Sequence, residues 1–215
     1  MGAKNSTFEK YMQYIKFRAI FKEYTVFSLT DIRNALPRGD VFHRRRLNEW
    51  QEKGYIKKIV KGYYIFADTQ INENVLHEIA NKIYPPAYVS LETALAYYNL
   101  IPESVYGVTC VATRRTSCFK TYLGSFIYRT VKPRLFFGYD IAGRIKIASL
   151  EKAILDYFYF NPQIKTKDDF TEMRVNRGMF LQTVDKERLK EFLSRFENSR
   201  LEERIKIFLK VMGNA

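Results

Sequence analysis

The chain has 215 residues, of which 47% are hydrophobic and 27% charged, and it carries a formal net charge of +13. That length and balance suit one large or two modest folded domains and exclude a disordered tail. The basic excess favours a polyanionic partner, either nucleic acid or an anionic membrane surface.

The N-terminal stretch MGAKNSTFEKYMQYIKFRAIF turns from polar to amphipathic and lacks the apolar core of a secretory signal. Met1-Gly2 with Ser6 matches a myristoylation spacing, a short match that nothing else in the chain supports. A first helix is predicted from Thr7 to Tyr24, with Phe8, Met12, Ile15 and Ala19 on one face. Ser28–Gly39 (SLTDIRNALPRG) predicts a small helix and a turn. Leu36-Pro37 ends it, because a residue before proline is pushed out of the α region.

Asp40 to Phe66 is the most telling segment. It predicts a basic helix followed at once by a basic hairpin. At about 100° per residue, His43, Leu47 and Trp50 share one side of that helix, which is the side that packs. Arg44, Asn48 and Gln51 lie opposite, with Arg45 at their edge. Arg pairs with guanine and Asn or Gln with adenine, so these are the side-chain types that read base edges. Arg46 sits nearer the core boundary and, with Arg33, is expected to reach a phosphate. Lys61-Gly62 separates IKKIV from YYIF, where glycine supplies the positive φ of a tight turn. Lys57, Lys58 and Lys61 would then decorate the hairpin and meet phosphates. Small helix, turn, second helix and hairpin is the order of a winged helix-turn-helix, in which the second helix enters the major groove.

The predicted DNA-binding domain spans residues 1–69 and holds 14 Lys/Arg against 7 Asp/Glu. Asp68-Thr69-Gln70 reads as a linker to a larger mixed α/β domain over 70–215, whose core is 87–160 and whose helical end is 161–215. The fold class expected is therefore α+β. In the second domain, Ile71–Ile83 repeats apolar residues helically (Val75, Ile79, Ile83) and stops at Pro85-Pro86. Ser90 is the expected N-cap of a helix ending near Asn99, with Glu92 in its first turn. VYGVTCVA, FIYRTV and GRIKIA have the β-branched and aromatic texture of strands. Ser149 is the expected cap of SLEKAILDYFYF, with Ala153, Ile154, Tyr157 and Phe158 as its apolar stripe. DKERLKEFLSRF and NSRLEERIKIFLKVM are amphipathic, the second with Leu201, Ile205, Phe208 and Met212 on one side.

One anomaly stands out between Ser104 and Tyr139, a stretch with no acidic residue that contains Arg114, Arg115, Lys120, Arg129, Lys132 and Arg134. Two readings are open: a second nucleic-acid or acidic-protein surface, or charges neutralised by acids from elsewhere in the fold.

Catalytic signatures are thin, and no catalytic residue, metal site or cofactor is predicted. His43 and His77 are isolated, His43 reading as a packing residue and His77 as a surface one. No phosphate-cradling glycine loop occurs. Asp140 with Glu151-Lys152 is the nearest approach to a metal-nuclease cluster, there is no D-x-D, and Asp168-Asp169 are consecutive. Cys110 and Cys118 lack CxxC spacing and read as packing residues in a reducing, cytoplasmic compartment.

Three segments carry a family resemblance: Tyr88-Val89-Ser90-Leu91-Glu92-Thr93-Ala94-Leu95, Phe137-Gly138-Tyr139, and Glu151-Lys152-Ala153-Ile154-Leu155-Asp156. Over roughly Ala87 to Phe160 the chain resembles the AbiEi antitoxins of type IV toxin–antitoxin, phage-abortive infection systems. Leu150 departs from the pattern, which has proline before Glu-Lys-Ala. The resemblance implies a cytoplasmic autorepressor that binds inverted repeats in its own promoter as monomer or dimer. It also implies an antitoxin that counters a nucleotidyltransferase-like toxin without a stable complex, and no enzymatic activity. The competing reading is a stand-alone winged-helix regulator with a ligand- or partner-sensing second domain. A third reading, a protein–protein adaptor, predicts weak DNA binding insensitive to salt.

Overall fold

The computed structural model describes residues 13–102 and 107–213. The protein is α+β and divides into two compact units, Met1–Val75 and Leu76–Ala215. Thr7, Phe8 and Met12 of the expected first helix, the Met1-Gly2 and Ser6 match, and Ser104 to Tyr106 lie outside the described residues.

In the first unit, residues 13–21 are helical (α1). Then come β1 (Phe27–Ser28), α2 (Leu29–Ala35), α3 (Asp40–Glu52), β2 (Ile56–Val60) and β3 (Tyr63–Phe66). The strands form one antiparallel sheet in the order β1-β3-β2. The core is largely aromatic. Phe17 lies 4.5 Å from Trp50 and 5.3 Å from Phe27 by ring centroids, with Tyr14, Phe21 and Phe66 around it. This corrects the stripe expected on the first helix. Ile15 is 43% exposed, and Tyr14, Phe17 and Phe21 are the buried positions. Both stripes have helical spacing, and the rings remove more apolar area from water than Ile and Ala would.

α2 starts on a capping box. Asp31 N donates to Ser28 Oγ at 3.1 Å, and Ser28 N donates to the Asp31 carboxylate at 2.7 Å. The helix stops at Leu36, which is extended ahead of Pro37. The hairpin turns at Gly62, where φ is +85°.

The second unit is built on a mixed six-stranded sheet in the order β6-β7-β5-β4-β9-β8. The strands are β4 (Ala87–Val89), β5 (Gly107–Ala112), β6 (Ser117–Thr121), β7 (Gly124–Thr130), β8 (Tyr139–Ala142) and β9 (Ile145–Ala148). Along β7, Phe126 and Tyr128 point to one face and Ile127 and Arg129 to the other. Tyr128 meets α4 (Glu73–Ile83), donating its hydroxyl to Ala80 O at 2.8 Å. The opposite face carries α5 (Leu91–Tyr97) and α6 (Leu150–Phe160), where Thr93 and Thr109 hydroxyls lie 3.0 Å apart.

Four further helices follow: α7 (Lys167–Glu172), α8 (Arg177–Thr183), α9 (Lys186–Ser194) and α10 (Ser199–Gly213). Leu201, Ile205, Phe208 and Met212 of α10 are buried. Phe208 lies 4.9 Å from Phe158 of α6, 5.5 Å from Phe170 of α7 and 5.3 Å from Phe180 of α8, and Arg204 donates to Phe158 O at 2.8 Å.

Two expected surface and packing roles are reversed. His77 is 4% exposed, set edge-on to Tyr97 on the packed side of α4 with Ile79 and Ala80. Cys118 is exposed because β6 alternates at the sheet edge and turns Phe119 inward instead, against Tyr128. Cys110 is buried, and burial pushes its thiol pKa up.

Candidate nucleic-acid interface

α3 separates two faces. His43, Leu47 and Trp50 are buried, while Arg44, Arg45 and Asn48 are exposed together on the far side. The Arg44 side chain is 65% exposed. Its charge opposes the rise that burial imposes on the Tyr64 hydroxyl of β3. Arg45 Nε lies 3.3 Å from Glu49 in a solvent-facing pair worth little in water. Lys57, Lys58 and Lys61 are exposed on the hairpin.

Besides Arg45, the expected contact residues Gln51, Arg33 and Arg46 are engaged inside the first unit. Gln51 Nε2 donates to Leu47 O at 3.2 Å, turning its amide onto its own helix. Arg33 is held by Asp40, with Nε 2.6 Å from Oδ1. That pairing raises the Arg33 pKa and lowers that of Asp40. Arg46 is turned inward, its side chain 16% exposed, with Nη1 2.6 Å from Glu49 Oε2 and the guanidinium 5.3 Å from the Phe42 ring. Sequence reasoning missed Arg38 and Phe42. Arg38 stacks on the same Phe42 ring at 5.5 Å, and the only signal for it was a basic residue in the turn before α3.

The acid-free stretch does not present one face. Arg114 stacks 4.2 Å from the Tyr84 ring on the α4 side of the sheet, and Arg115 is exposed in the neighbouring loop. Arg129, on the opposite face, lines a cavity of about 280 Å³ with Glu92, Thr109 and Asn161. Lys120 is exposed on the edge strand β6. Lys132 and Arg134 line a separate groove, where Arg134 Nη1 lies 2.6 Å from Glu197. For Arg134, an acid brought from the C-terminal region supplies the neutralisation.

The three segments that carry the resemblance do meet in space. Asp156 accepts hydrogen bonds from Tyr88 Oη and Ser90 Oγ, both at 2.9 Å, and forms an ion pair with Lys152. Both charged side chains are 0% exposed. The Lys152 ammonium stands 5.0 Å from the Phe137 ring. Gly138, at φ +69°, packs so tightly that a Cβ there would meet the Phe192 ring at 2.9 Å and Lys152 Cβ at 3.2 Å. Burial lowers the Lys152 pKa, with Asp156 opposing that shift. Burial also raises the Tyr88 pKa well above its ordinary value.

Ser90 stands at the N-cap position of α5, but its hydroxyl goes to Asp156 and does not cap the helix. Ser149 does cap α6, accepting from Lys152 N at 3.4 Å. Glu151 in the first turn of α6 is buried and accepts from Asp185 N at 3.1 Å. With Tyr88, Ser90, Lys152 and Asp156 buried and partnered, this cluster ties β4, the start of α5 and α6 together.

Among the described residues, no group of three or more His, Cys, Asp or Glu is placed to hold a metal ion. No helix of the described residues is long and apolar enough to cross a membrane. No protein-family model and no curated protein matches the chain.

Proposed function

We propose that the first unit is a winged helix-turn-helix that binds double-stranded DNA, with α3 in the major groove and the β2–β3 hairpin along the backbone. One observation carries this reading. α3 buries His43, Leu47 and Trp50 and leaves Arg44, Arg45 and Asn48 outward, and Lys57, Lys58 and Lys61 of the hairpin that follows it are exposed. Outward Arg and Asn supply bidentate donors and acceptors for base edges, and the lysines supply charge for phosphates. Arg33, Arg46 and Gln51 contribute secondarily: Arg33 is held at two points by Asp40, Arg46 is turned inward, and the Gln51 amide is turned onto its own helix. The Arg44 and Arg45 side chains, by contrast, stay 65% and 76% exposed beside their acids.

The biological role proposed is that of a cytoplasmic, non-enzymatic autorepressor and antitoxin of the AbiEi type. It would bind inverted repeats in its own promoter and oppose a nucleotidyltransferase-like toxin without a stable complex. The antitoxin part rests on the three segments of the resemblance, and their meeting around Asp156 gives those residues a shared structural reason.

The test is a titration of the protein against its own upstream promoter DNA and a scrambled duplex at two salt concentrations. Tight, salt-steep and sequence-selective binding is expected. Equal, weak binding to both duplexes would remove the DNA reading in favour of a docking module. Rescue of growth when the neighbouring gene is expressed separates an antitoxin from a stand-alone regulator.

A further inference from the structure

We infer that Val41 is a specificity-determining residue that reads the 5-methyl group of a thymine in the major groove. The inference rests on the DNA reading above and names one contact within it. Val41 is the second residue of α3 and is 83% exposed. A lone exposed valine is ordinary on a protein surface. Its place on this helix is what gives it a role.

At about 100° per residue, Val41 lies about 180° around the helix from the buried Trp50, so it stands opposite the packed side. Arg44 and Arg45 follow at the i+3 and i+4 positions, the spacing of neighbours on a helix surface. Asn48 lies within about 20° of the same line. Val41 therefore extends the outward row of Arg44, Arg45 and Asn48 toward the start of α3. In a helix-turn-helix, the N-terminal residues of the second helix are the ones that contact base edges. Phe42 is the other exposed apolar residue of α3, and it is engaged elsewhere. The guanidiniums of Arg38 and Arg46 stand 5.5 and 5.3 Å from its ring.

The chemistry of the side chain selects the base. Valine has no donor or acceptor beyond its backbone, so only an apolar contact is open to it. Among the base edges of the major groove, thymine alone presents an apolar substituent, its C5 methyl. Loss of one buried methyl contact is worth about fourfold in affinity.

The experiment replaces each thymine of the protein's own promoter duplex, one at a time, with deoxyuracil. That change keeps the base pair and its hydrogen-bonding groups and removes only the methyl. The full chain and its Val41→Ser variant are titrated by fluorescence anisotropy, with circular dichroism as the folding control. Expected for the unaltered chain is a loss of about fourfold at one thymine of each half-site. Val41→Ser should bind thymine and deoxyuracil alike at that position and still prefer promoter over scrambled duplex through Arg44 and Asn48. Indifference of the unaltered chain to every replacement, with promoter selectivity intact, would overturn the thymine contact and leave the DNA reading standing. A thymine that stays sensitive in Val41→Ser would assign its methyl to another residue and overturn the inference too. If the unaltered chain shows no preference for the promoter duplex, the DNA reading falls and this inference falls with it.

Discussion

Arg33 and Asp40 form a two-point ion pair that bridges the end of α2 and the start of α3, with Arg33 Nε 2.6 Å from Asp40 Oδ1 and Nη2 on the other oxygen. Arg44 Nη2 stands 4.0 Å from the same carboxylate. One acid therefore restrains two cations at the edge of the proposed reading face.

Asp40→Asn should release both cations. Affinity for any duplex is expected to rise, and the slope of log affinity against log salt to steepen by about one phosphate contact. Arg33 holds the Asp40 carboxyl below its ordinary range. The pair is thus intact above the carboxylate range and is lost only as pH falls through the depressed value. Affinity limited by this pair should be flat across roughly pH 5 to 8. Fluorescence anisotropy with Asp40→Asn at two salt concentrations checks this. An unchanged slope would mean that neither arginine reaches a phosphate.

The exposed α3 residues and the hairpin lysines should separate specificity from affinity. Asn48→Ala or Arg44→Ala is expected to cost about 1–3 kcal/mol of discrimination at single base pairs. Lys58→Ala should weaken promoter and scrambled duplex alike, because a phosphate contact carries no sequence information. Gln51→Ala should have the smaller effect of the helix set, since its amide is turned onto Leu47 O. Competition titrations with single-base-pair operator variants measure all four. Equal losses on both duplexes for Asn48→Ala and Arg44→Ala would refute the reading face.

Local signals were legible where the partner lies nearby in sequence. The buried stripe of α3, the glycine turn at Gly62, the end of α2 at Leu36 and the apolar side of α10 all follow from periodicity or from φ restrictions. The strand β4, three residues long, is too short to show a period. Ser90 carries a capping signal, but its hydroxyl answers to Asp156, 66 positions away. The charge run from Arg114 to Arg134 is contiguous in sequence, yet strand alternation and the β5–β6 loop distribute it over both faces of the sheet. The inward turn of Arg46 depends on Phe42 and Glu49 acting together, which no single-residue rule anticipates.

Gly138 and Gly62 should respond differently to alanine although both have positive φ. At Gly62 a Cβ meets nothing within 4 Å, so only the left-handed backbone is penalised, by roughly 1 kcal/mol. At Gly138 the same backbone penalty is joined by contacts at 2.9 Å to Phe192 and 3.2 Å to Lys152. Overpacking of this kind adds about 1–3 kcal/mol. Urea unfolding should therefore rank Gly138→Ala well below Gly62→Ala, and similar midpoints would mean that Phe192 moves aside freely.

The Lys152–Asp156 pair offers the sharpest stability test, because neither side chain is exposed. Lys152→Met leaves a buried carboxylate without its cation and should cost about 3–5 kcal/mol. Asp156 also accepts from Tyr88 and Ser90, so replacing it with a hydrocarbon would strand two hydroxyls. Asn at 156 keeps an acceptor and carries no charge. Lys152→Met combined with Asp156→Asn should therefore recover most of the loss, a non-additivity that a double-mutant cycle reads directly. The pH dependence gives an independent check. Burial lowers the Lys152 pKa, so the unfolded chain binds that proton more tightly than the folded one. Stability contributed at this site should then rise with pH, from the depressed value up to the ordinary lysine range near about 10. The rise should vanish in the double variant; if it persists there, another group is its source.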